Sequence, residues 1–309
     1  MNEDAEASHS PPSGEQFVIT CGGRQATITQ VGATLRSYRV DGHDALDGFA
    51  EDERATDGRG QVLAPWPNRV AEGRYRYGGR ECQAPLSEPA GRTAIHGLVR
   101  WLDWTLVRRD EASVSLGCVI RPQPGYEWPV DLDITYAVDD AGLTVRLQAT
   151  NTGAERAPFG AGFHPYLAPG SGSVDEFELT VPATHYLDLA EPDHPPRALA
   201  VRGEHDLTVA RRVGTTRLDT AFGPLIRGED GRAVALVSDP HSGRQVELWV
   251  DAAYPYLMVY TADNVHRPER RRAAVAVEPM TCPPNALRSG TDLIELDPGA
   301  AWSGSWGLR

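Results

Sequence analysis

The stretch Val130–Asn151, with the sequence VDLDITYAVDDAGLTVRLQATN, decides the fold. Apolar residues alternate with polar ones from Val130 to Val138 and again from Leu143 to Ala149. A period of two is the pattern of a β-strand that buries one face. The turn-forming run at 139–142 (DDAG) separates the two alternating segments. The stretch therefore predicts a long β-hairpin with one buried face.

The same alternation recurs along most of the chain. No window of about eleven residues or more shows the i, i+3, i+4, i+7 apolar spacing of a helix, so any helix should be short. Strands without intervening helices indicate an all-β fold, a large antiparallel sandwich or barrel. Further strands are predicted at 17–20, 26–31, 114–120, 233–237, 246–250, 256–260 and 274–277.

The N-terminal segment 1–14 (MNEDAEASHSPPSG) differs from the rest of the chain. It is acidic and polar, and it has neither the positively charged nor the apolar region of a signal peptide. We predict a mobile tail over 1–14. No linker-like stretch interrupts 15–309, which predicts a single domain there. No apolar run is long enough to predict a membrane span.

The net charge of −13 limits the classes of partner, and all 30 basic residues are arginine. An acidic chain repels phosphate backbones and anionic lipid, which argues against a nucleic-acid or membrane-surface role. The basic run at 267–272 (RPERRR) is broken by proline and glutamate and is predicted to be a solvated loop. The 4 cysteines have no C-x-x-C spacing, which favours a reduced, cytoplasmic protein over a disulfide framework.

Two turns carry side chains suited to a hydroxylated ligand. The loop 64–70 (APWPNRV) is stiffened by two prolines and presents Trp66, Asn68 and Arg69. An aromatic ring and a forked donor suit recognition of a polyol, although a structural role with Arg69 paired to an acid fits equally. His96 precedes a glycine between apolar residues, and from the sequence it is either a core histidine or a site residue.

Three further residues could carry acid–base chemistry. His164 lies in the segment 160–167 (GAGFHPYL), where glycines and a proline bend the backbone around a titratable side chain. Glu278 ends the apolar strand 273–277. Partial burial there would raise its pKa toward that of a useful base, and the alternative is a strand end that faces solvent. Asp219 lies between apolar residues and is a weaker candidate.

Other chemistries fit the residue pattern less well. Two histidines and a glutamate could form a metal triad, but neither H-x-x-E-H nor H-E-x-x-H occurs. The motif G-x-S-x-G, a P-loop and a G-x-G-x-x-G after a strand are also absent from the sequence. Their absence disfavours a serine hydrolase and nucleotide chemistry.

Five segments form a pattern by their residues and their order along the chain: 67–74 (PNRVAEGR), 95–98 (IHGL), 162–167 (GFHPYL), 218–219 (LD) and 277–279 (VEP). Together they resemble the aldose 1-epimerase (galactose mutarotase) family. The resemblance extends from about residue 16 to the end of the chain. It implies a β-supersandwich of many antiparallel strands, which agrees with the alternation. It also implies mutarotase activity, the interconversion of the α and β anomers of a free aldose, with no cofactor and no metal.

The resemblance implies a role for each matching residue. Glu278 matches the general base of the family, His164 its general acid and His96 its second active-site histidine. Arg69 matches the arginine that binds the substrate, and Asp219 the aspartate that binds a sugar hydroxyl. The predicted substrate-binding residues are Arg69, Asp219, Asn68 and Trp66.

Mutarotation removes a proton from the C1 hydroxyl and delivers one to the ring oxygen. We expect one acid and one base on opposite sides of the anomeric centre, with roles that reverse on ring closure. The five residues matched to the family should then line one cleft, with His164 and Glu278 no more than about 10 Å apart.

The sequence departs from the family pattern at Met258, which stands where the family often has a glutamine. Loss of that hydrogen bond predicts similar, modest efficiency with glucose and galactose. The form of the segment 64–69 is also more similar to a bacterial subgroup with unsettled or sulfosugar-related substrates.

Two alternatives stay open: an epimerase of a phosphorylated or sulfonated sugar, which would need extra cations at the pocket, and a non-catalytic sugar-binding protein. The presence of both Glu278 and His164 argues against the binding protein. A monosaccharide is the expected partner, and a monomer or weak homodimer the expected state.

Overall fold

The computed structural model describes residues 10–189 and 194–309. Within these residues nearly all regular structure is β, so the predicted fold class is confirmed. In chain order the strands are β1 Gln16–Cys21, β2 Arg24–Thr29, β3 Leu35–Val40, β4 His43–Asp44, β5 Val62–Leu63, β6 Arg69–Ala71, β7 Arg74–Tyr77, β8 Arg80–Gln83, β9 Thr93–Ile95, β10 Thr105–Arg109, β11 Ser113–Ile120, β12 Val130–Asp139, β13 Gly142–Asn151, β14 Ala157–Phe159, β15 Gly162–Phe163, β16 Tyr166–Leu167, β17 Glu178–Thr180, β18 His185–Asp188, β19 Arg197–Ala200, β20 Arg211–Arg212, β21 Asp219–Phe222, β22 Ala233–Asp239, β23 Arg244–Val250, β24 Tyr256–Tyr260, β25 Val275–Met280, β26 Ile294–Leu296 and β27 Ala301–Leu308.

The helices of the described segments are short, as predicted. The α-helix α1, Ala286–Ser289, has 4 residues. The 3-10 helices are Pro89–Gly91, Val174–Glu176, Gly203–His205 and Pro268–Arg270. Across 10–189 and 194–309, no helix is both long and apolar enough to cross a membrane.

The predicted hairpin forms the centre of a nine-stranded sheet. Strands β12 and β13 pair without interruption from Val130 opposite Asn151 to Asp139 opposite Gly142. Burial alternates along both strands, because every second side chain points into the core. Oδ1 of Asp139 accepts hydrogen bonds from the backbone N–H groups of Ala141 and Gly142, which closes the turn. The strand order in this sheet is β10-β11-β12-β13-β27-β23-β22-β17-β20.

A second sheet holds most of the polar residues singled out from the sequence. Its strand order is β19-β18-β21-β24-β25-β15-β5, and β16 also pairs with β25. The N-terminal strands β1 to β4 form a four-stranded sheet, and β6 pairs with β9 beside it as a separate ribbon. The two large sheets share one main cluster of buried apolar side chains that includes residues from Phe17 to Leu308.

The N-terminal prediction is tested only in part, because residues 1–9 of the predicted tail 1–14 lie outside the described segments. Ser13, within the predicted tail, is buried. Its carbonyl accepts a hydrogen bond from the N–H of Val31. The packed structure therefore includes Ser13, and a single domain over 15–309 stays a proposal that the shared core supports.

The run 267–272 is a loop with a short 3-10 helix in which Pro268, Glu269 and Arg271 are exposed, so the predicted solvated loop is confirmed in part, but its other arginines are paired with carboxylates. The side chain of Arg272 is only 18% exposed and donates to Asp175 at 2.6 Å and to Asp263 at 2.8 Å. Arg270 lies close to Asp47 and Glu53. The basic run therefore fastens neighbouring loops to one another, because its charges meet carboxylates from distant parts of the chain.

Candidate active site

One cleft of about 630 Å³ brings together six of the seven predicted site residues. Its walls come from the second sheet, the β6–β9 ribbon and the loop 54–61. The predicted residues that line it are Asn68, Arg69, His96, His164, Asp219 and Glu278.

Glu278 and His164 lie in direct contact within this cleft. Nε2 of His164 is 3.2 Å from Oε1 of Glu278, well inside the expected limit of separation. Both side chains are almost completely buried, and all six residues of β25 are buried around Glu278. The other carboxylate oxygen of Glu278, Oε2, is buried and has no hydrogen-bond partner among the described residues.

Burial moves the pKa of these two groups in opposite directions. Loss of water raises the pKa of Glu278 well above its ordinary value, and the nearby carboxylate of Asp219 adds to the rise. This confirms the prediction of a desolvated carboxylate, but the strand does not end there, because β25 continues to Met280. Burial lowers the pKa of His164 to about 3, and the positive charge of Arg59 adds to that fall.

An apolar cluster borders Glu278 on its own sheet. Met258 lies directly opposite Glu278 on the neighbouring strand β24. Its side chain is 2% exposed and packs with Leu187, Ala221 and Met280. Met258 is therefore part of the apolar surroundings of the carboxylate, and it does not line the cleft.

The ring of His164 is confined by its neighbours. The imidazole stacks on Tyr166 with ring centroids 4.9 Å apart and planes at 15°. Gly58, at φ +79°, packs against the imidazole so closely that a Cβ there would lie 2.5 Å from Cδ2 of His164. Only glycine satisfies both the backbone conformation and the contact at position 58.

His96 owes its orientation to two residues with positive φ. Asn68 (φ +53°) donates its backbone N–H to Nδ1 of His96 at 3.2 Å, and His96 itself has φ +64°. The neutral ring therefore carries its proton on Nε2. A Cβ at the next residue, Gly97, would lie 2.0 Å from the carbonyl oxygen of Ala64, so only glycine allows the backbone to pass this close. Burial lowers the pKa of His96 well below its ordinary value.

Arg69 lies between the carboxylates of Glu88 and Asp219 at the cleft. Its Nε and Nη2 donate to the two carboxylate oxygens of Glu88 at 2.7 Å and 2.9 Å. Its Nη1 is 3.8 Å from Oδ2 of Asp219. The guanidinium is thus fixed in one plane, and 39% of the side chain remains exposed toward the cleft.

The prediction that Trp66 binds the substrate is wrong in this structure. Trp66 is 2% exposed and packs in the main apolar core, away from the cleft. The aromatic ring on the cleft rim is Trp101, which is 53% exposed. No sequence signal distinguishes the two tryptophans, because both lie in loops and only their packing differs.

Sequence analysis also missed three arginines of the cleft, Arg54, Arg100 and Arg217. Arg100 donates to Oε1 of Gln61 and to the carbonyl of Ile95, but it forms no ion pair within the described residues. Burial lowers its pKa to about 10. A partly buried arginine without an acid is a group that could receive an anion.

The described residues contain no group of three His, Cys, Asp or Glu side chains arranged to hold a metal ion. All four cysteines are free thiols.

The chain resembles known proteins along nearly its whole length. The family model described as Aldose 1-epimerase matches residues 15–309. The chain is 34% identical to the uncharacterised protein YihR of Escherichia coli (strain K12), over 93% of this chain and 90% of that protein. It is 26% identical to galactose mutarotase of Mus musculus, over 82% and 80% of the two chains. A galactose mutarotase-like protein from Clostridium acetobutylicum has the same fold, with a TM-score of 0.83 at 17% identity over 95% and 94% of the two chains.

Proposed function

The chain belongs to the aldose 1-epimerase family, and from that premise we propose that it is a mutarotase that interconverts the α and β anomers of a free aldose. The observation that carries the proposal is the buried contact between His164 and Glu278 in the floor of an open cleft. A non-catalytic sugar-binding protein would not require a desolvated carboxylate and imidazole in contact, since each group is costly to bury.

The reaction needs one proton to leave the substrate and another to enter it. Glu278 takes the proton of the C1 hydroxyl while His164 delivers a proton to the ring oxygen, so the C1–O5 bond breaks and C1 becomes a carbonyl carbon. Rotation about C1–C2 presents the other carbonyl face. Ring closure then reverses both transfers and restores the pair to its starting protonation state.

The pair acts from one side of the anomeric carbon. Sequence analysis placed acid and base on opposite sides, and a separation of 3.2 Å between Nε2 and Oε1 is inconsistent with that expectation. Adjacent placement suits the chemistry, because the two oxygens that exchange protons are bonded to the same carbon.

The pair shares a single mobile proton, and the opposite pKa directions of its two groups decide where that proton rests. Burial favours the uncharged arrangement, in which the carboxyl of Glu278 holds the proton and His164 is neutral. Transfer across the contact to Nε2 of His164 prepares the pair for ring opening. Either partner can then serve as the acid, according to the direction of the reaction.

The remaining polar residues bind and orient the sugar. Arg69, held by Glu88, presents a fixed donor plane, and Asp219 presents a carboxylate to a pair of hydroxyls. Nε2–H of His96 donates to the substrate, and Asn68 fixes that tautomer. The exposed ring of Trp101 offers an apolar face to the sugar ring.

A second candidate substrate is a sugar with an anionic substituent, such as a phosphate or a sulfonate. The observation in its favour is Arg100, which is partly buried at the cleft without an acidic partner. Arg54 adds a further cation on the same side. If this candidate is correct, Arg100→Gln should lower the efficiency for the anionic sugar much more than for the neutral one.

The test is anomer exchange measured by saturation-transfer NMR with glucose, galactose, glucose 6-phosphate and sulfoquinovose. We expect the wild-type protein to accelerate exchange and Glu278→Gln to lower kcat by about 10²–10⁴-fold. Calorimetric binding should change little, because the lost interaction matters in the transition state. Glu247→Gln, on the strand β23 away from the cleft, is the matched control and should behave as wild type.

Two results would contradict these proposals. Wild-type exchange retained by Glu278→Gln would remove Glu278 as the base. A preference for galactose over glucose above about a thousandfold would contradict the predicted similar efficiency with the two sugars, although Met258, buried beside Glu278, does not itself line the cleft.

A cytoplasmic location also stays a proposal, supported by the four free thiols. A monomer or weak homodimer stays a prediction.

A further inference from the structure

Arg59 is a fully buried cation placed close to the acid–base pair. Its side chain is 1% exposed and does not line the cleft. Nε and Nη2 donate to Oδ2 of Asp47 at 3.1 Å and 2.8 Å, and Nη1 donates to Asp57 at 3.3 Å. A charge this deeply buried is tolerated because it is paired, and the pairing holds the guanidinium in one place.

Tyr166 is the shared contact between Arg59 and His164. The guanidinium carbon of Arg59 lies 4.4 Å from the centroid of the Tyr166 ring. The imidazole of His164 stacks on the same ring at 4.9 Å. The hydroxyl of Tyr166 donates to the carbonyl of Asp57 at 2.8 Å, so the ring cannot tilt without breaking that bond.

The segment 57–61 (DGRGQ) also holds the backbone of His164. The N–H of Gly60 donates to the carbonyl of His164 at 3.0 Å, and the N–H of His164 donates to the carbonyl of Gln61 at 3.2 Å. Gly58 fills the space against the imidazole. One short segment thus contacts His164 through its backbone, through its ring and, by way of Tyr166, through a cation.

We propose that Arg59 and Tyr166 are positioning residues for His164, which fix the plane of the imidazole with Nε2 toward Glu278 and place a permanent positive charge close behind it. The kinetic consequences rest on the proposed function, whereas the effect on the imidazole itself does not.

The positive charge of Arg59 opposes protonation of His164, because two like charges in a dry site repel. A protonated His164 is therefore a strong acid that gives its proton readily to the ring oxygen. The groups that face or surround the imidazole are Glu278 from β25, Tyr166 from β16, His96 from the turn after β9, Arg59 from the segment 57–61, and Arg69 and Arg100 at longer range. The carboxylates of Asp47 and Asp57 pair with Arg59 and are the acidic groups on that side.

Three substitutions separate charge from ring position. Arg59→Gln removes the charge, Arg59→Lys keeps the charge without the planar group, and Tyr166→Leu removes the stacked ring. The titration of His164 is followed by ¹⁵N imidazole NMR in the absence of sugar. Anomer exchange is followed by saturation transfer across the pH range.

We expect Arg59→Gln to raise the midpoint of the His164 titration by about one pH unit and Arg59→Lys to leave it near the wild-type value. We expect Tyr166→Leu to lower kcat by about 10²-fold with little change in KM, because a freely tilting imidazole seldom reaches the reactive geometry. Arg232→Lys is the matched control, since Arg232 lies 4.0 Å from the ring of Trp249 and outside the cleft. It should change neither measurement.

An unchanged titration in Arg59→Gln together with an unchanged kcat in Tyr166→Leu would overturn the proposal. If Arg59→Gln does not fold, the kcat of Tyr166→Leu decides. If the wild-type protein exchanges no anomers, the proposed function fails and the NMR titration still decides whether Arg59 controls His164.

Discussion

The β12–β13 hairpin and the cleft differ in the length of their strands and in the conformation of their backbone. Each strand of the hairpin runs for 10 residues with regular alternation of burial. The strands beside the cleft are much shorter, with 2 residues each in β5, β15 and β16. Three non-glycine residues of the cleft, Asp57, Asn68 and His96, have positive φ.

The difference shows how one molecule combines two demands. A long regular hairpin buries the most apolar surface for each residue that it orders, which stabilises the fold. A site needs side chains from many directions on one point, which regular strands cannot supply because their side chains alternate between two faces. The cleft therefore lies where strands end, and its residues depend on the surrounding framework for their positions.

The largest expected effect changes the site and leaves the framework intact. His164→Gln should lower kcat by about 10²–10⁴-fold while sugar binding changes little. The double variant with Glu278→Gln should lose less than the product of the two single losses, because both groups act on one proton transfer. Exchange kinetics and calorimetry on the three variants provide the measurement, and strictly multiplicative losses would show that the two groups act independently.

The converse change affects the framework alone. Leu147→Ala, at a fully buried position of β13, should lower the free energy of unfolding by about 2–5 kcal/mol through lost burial and a cavity. The exchange rate per folded molecule should stay within about twofold of wild type, since Leu147 does not line the cleft. Urea unfolding and exchange kinetics at low temperature measure the two effects. A large loss of kcat in fully folded protein would mean that the two regions are coupled.

In acid, the free energy of unfolding should depend on pH through the buried titratable groups of the site. The pKa of His96 and of His164 is lowered by burial, so the unfolded chain binds protons below pH 6.5 that the folded protein does not. The raised pKa of Glu278 acts with the opposite sign, because above pH 4.5 the folded protein keeps a proton that the unfolded chain releases. The two histidines outweigh the one carboxyl, so these groups together lower stability as the pH falls from 6.5 toward 4.5.

His96→Asn tests this balance and keeps an acceptor for the N–H of Asn68. It should flatten the dependence of the unfolding free energy on pH by roughly 1.4 kcal/mol per pH unit in that window. Urea titrations at several pH values measure the slope. An identical slope in the variant would show that His96 is protonated in the folded protein.

A smaller effect is expected at the wall that binds the sugar. Arg69→Ala removes a charge-assisted donor and leaves Glu88 without its partner, so KM should rise by about tenfold and kcat should also fall. Arg74→Ala is the matched control, since Arg74 is 68% exposed, lies 3.9 Å from Glu72 and does not line the cleft. Equal effects in the two variants would remove Arg69 from the binding site.

The smallest effect distinguishes the two tryptophans. Trp101→Ala should raise KM by a few-fold, because an exposed aromatic face contributes about 0.5–1.5 kcal/mol to a stacking contact. Trp66→Phe should leave KM unchanged and lower the free energy of unfolding, since Trp66 lies in the core. The reverse pattern would restore Trp66 to the site.

The sequence by itself determined the framework and pointed to the residues that we propose to be reactive. The alternation from Val130 to Asn151 specifies both the strands and their buried face, because the side-chain period of a strand is two. The motifs around Asn68, His96, His164 and Glu278 indicate a sugar-transforming site through their resemblance to the aldose 1-epimerase family. Each motif combines a polar residue with glycine or proline, which is the local signature of a bent backbone.

Only the tertiary structure decided how those residues act together. The sequence does not show that His164 and Glu278 are in contact, because they lie far apart in the chain and meet through the pairing of β16 with β25. It also could not show that Trp66 is buried while Trp101 is exposed, or that Arg59 and His164 both pack against the ring of Tyr166. These facts depend on packing between distant segments, and the pKa of each buried group follows from that packing because desolvation depends on the whole neighbourhood of the group.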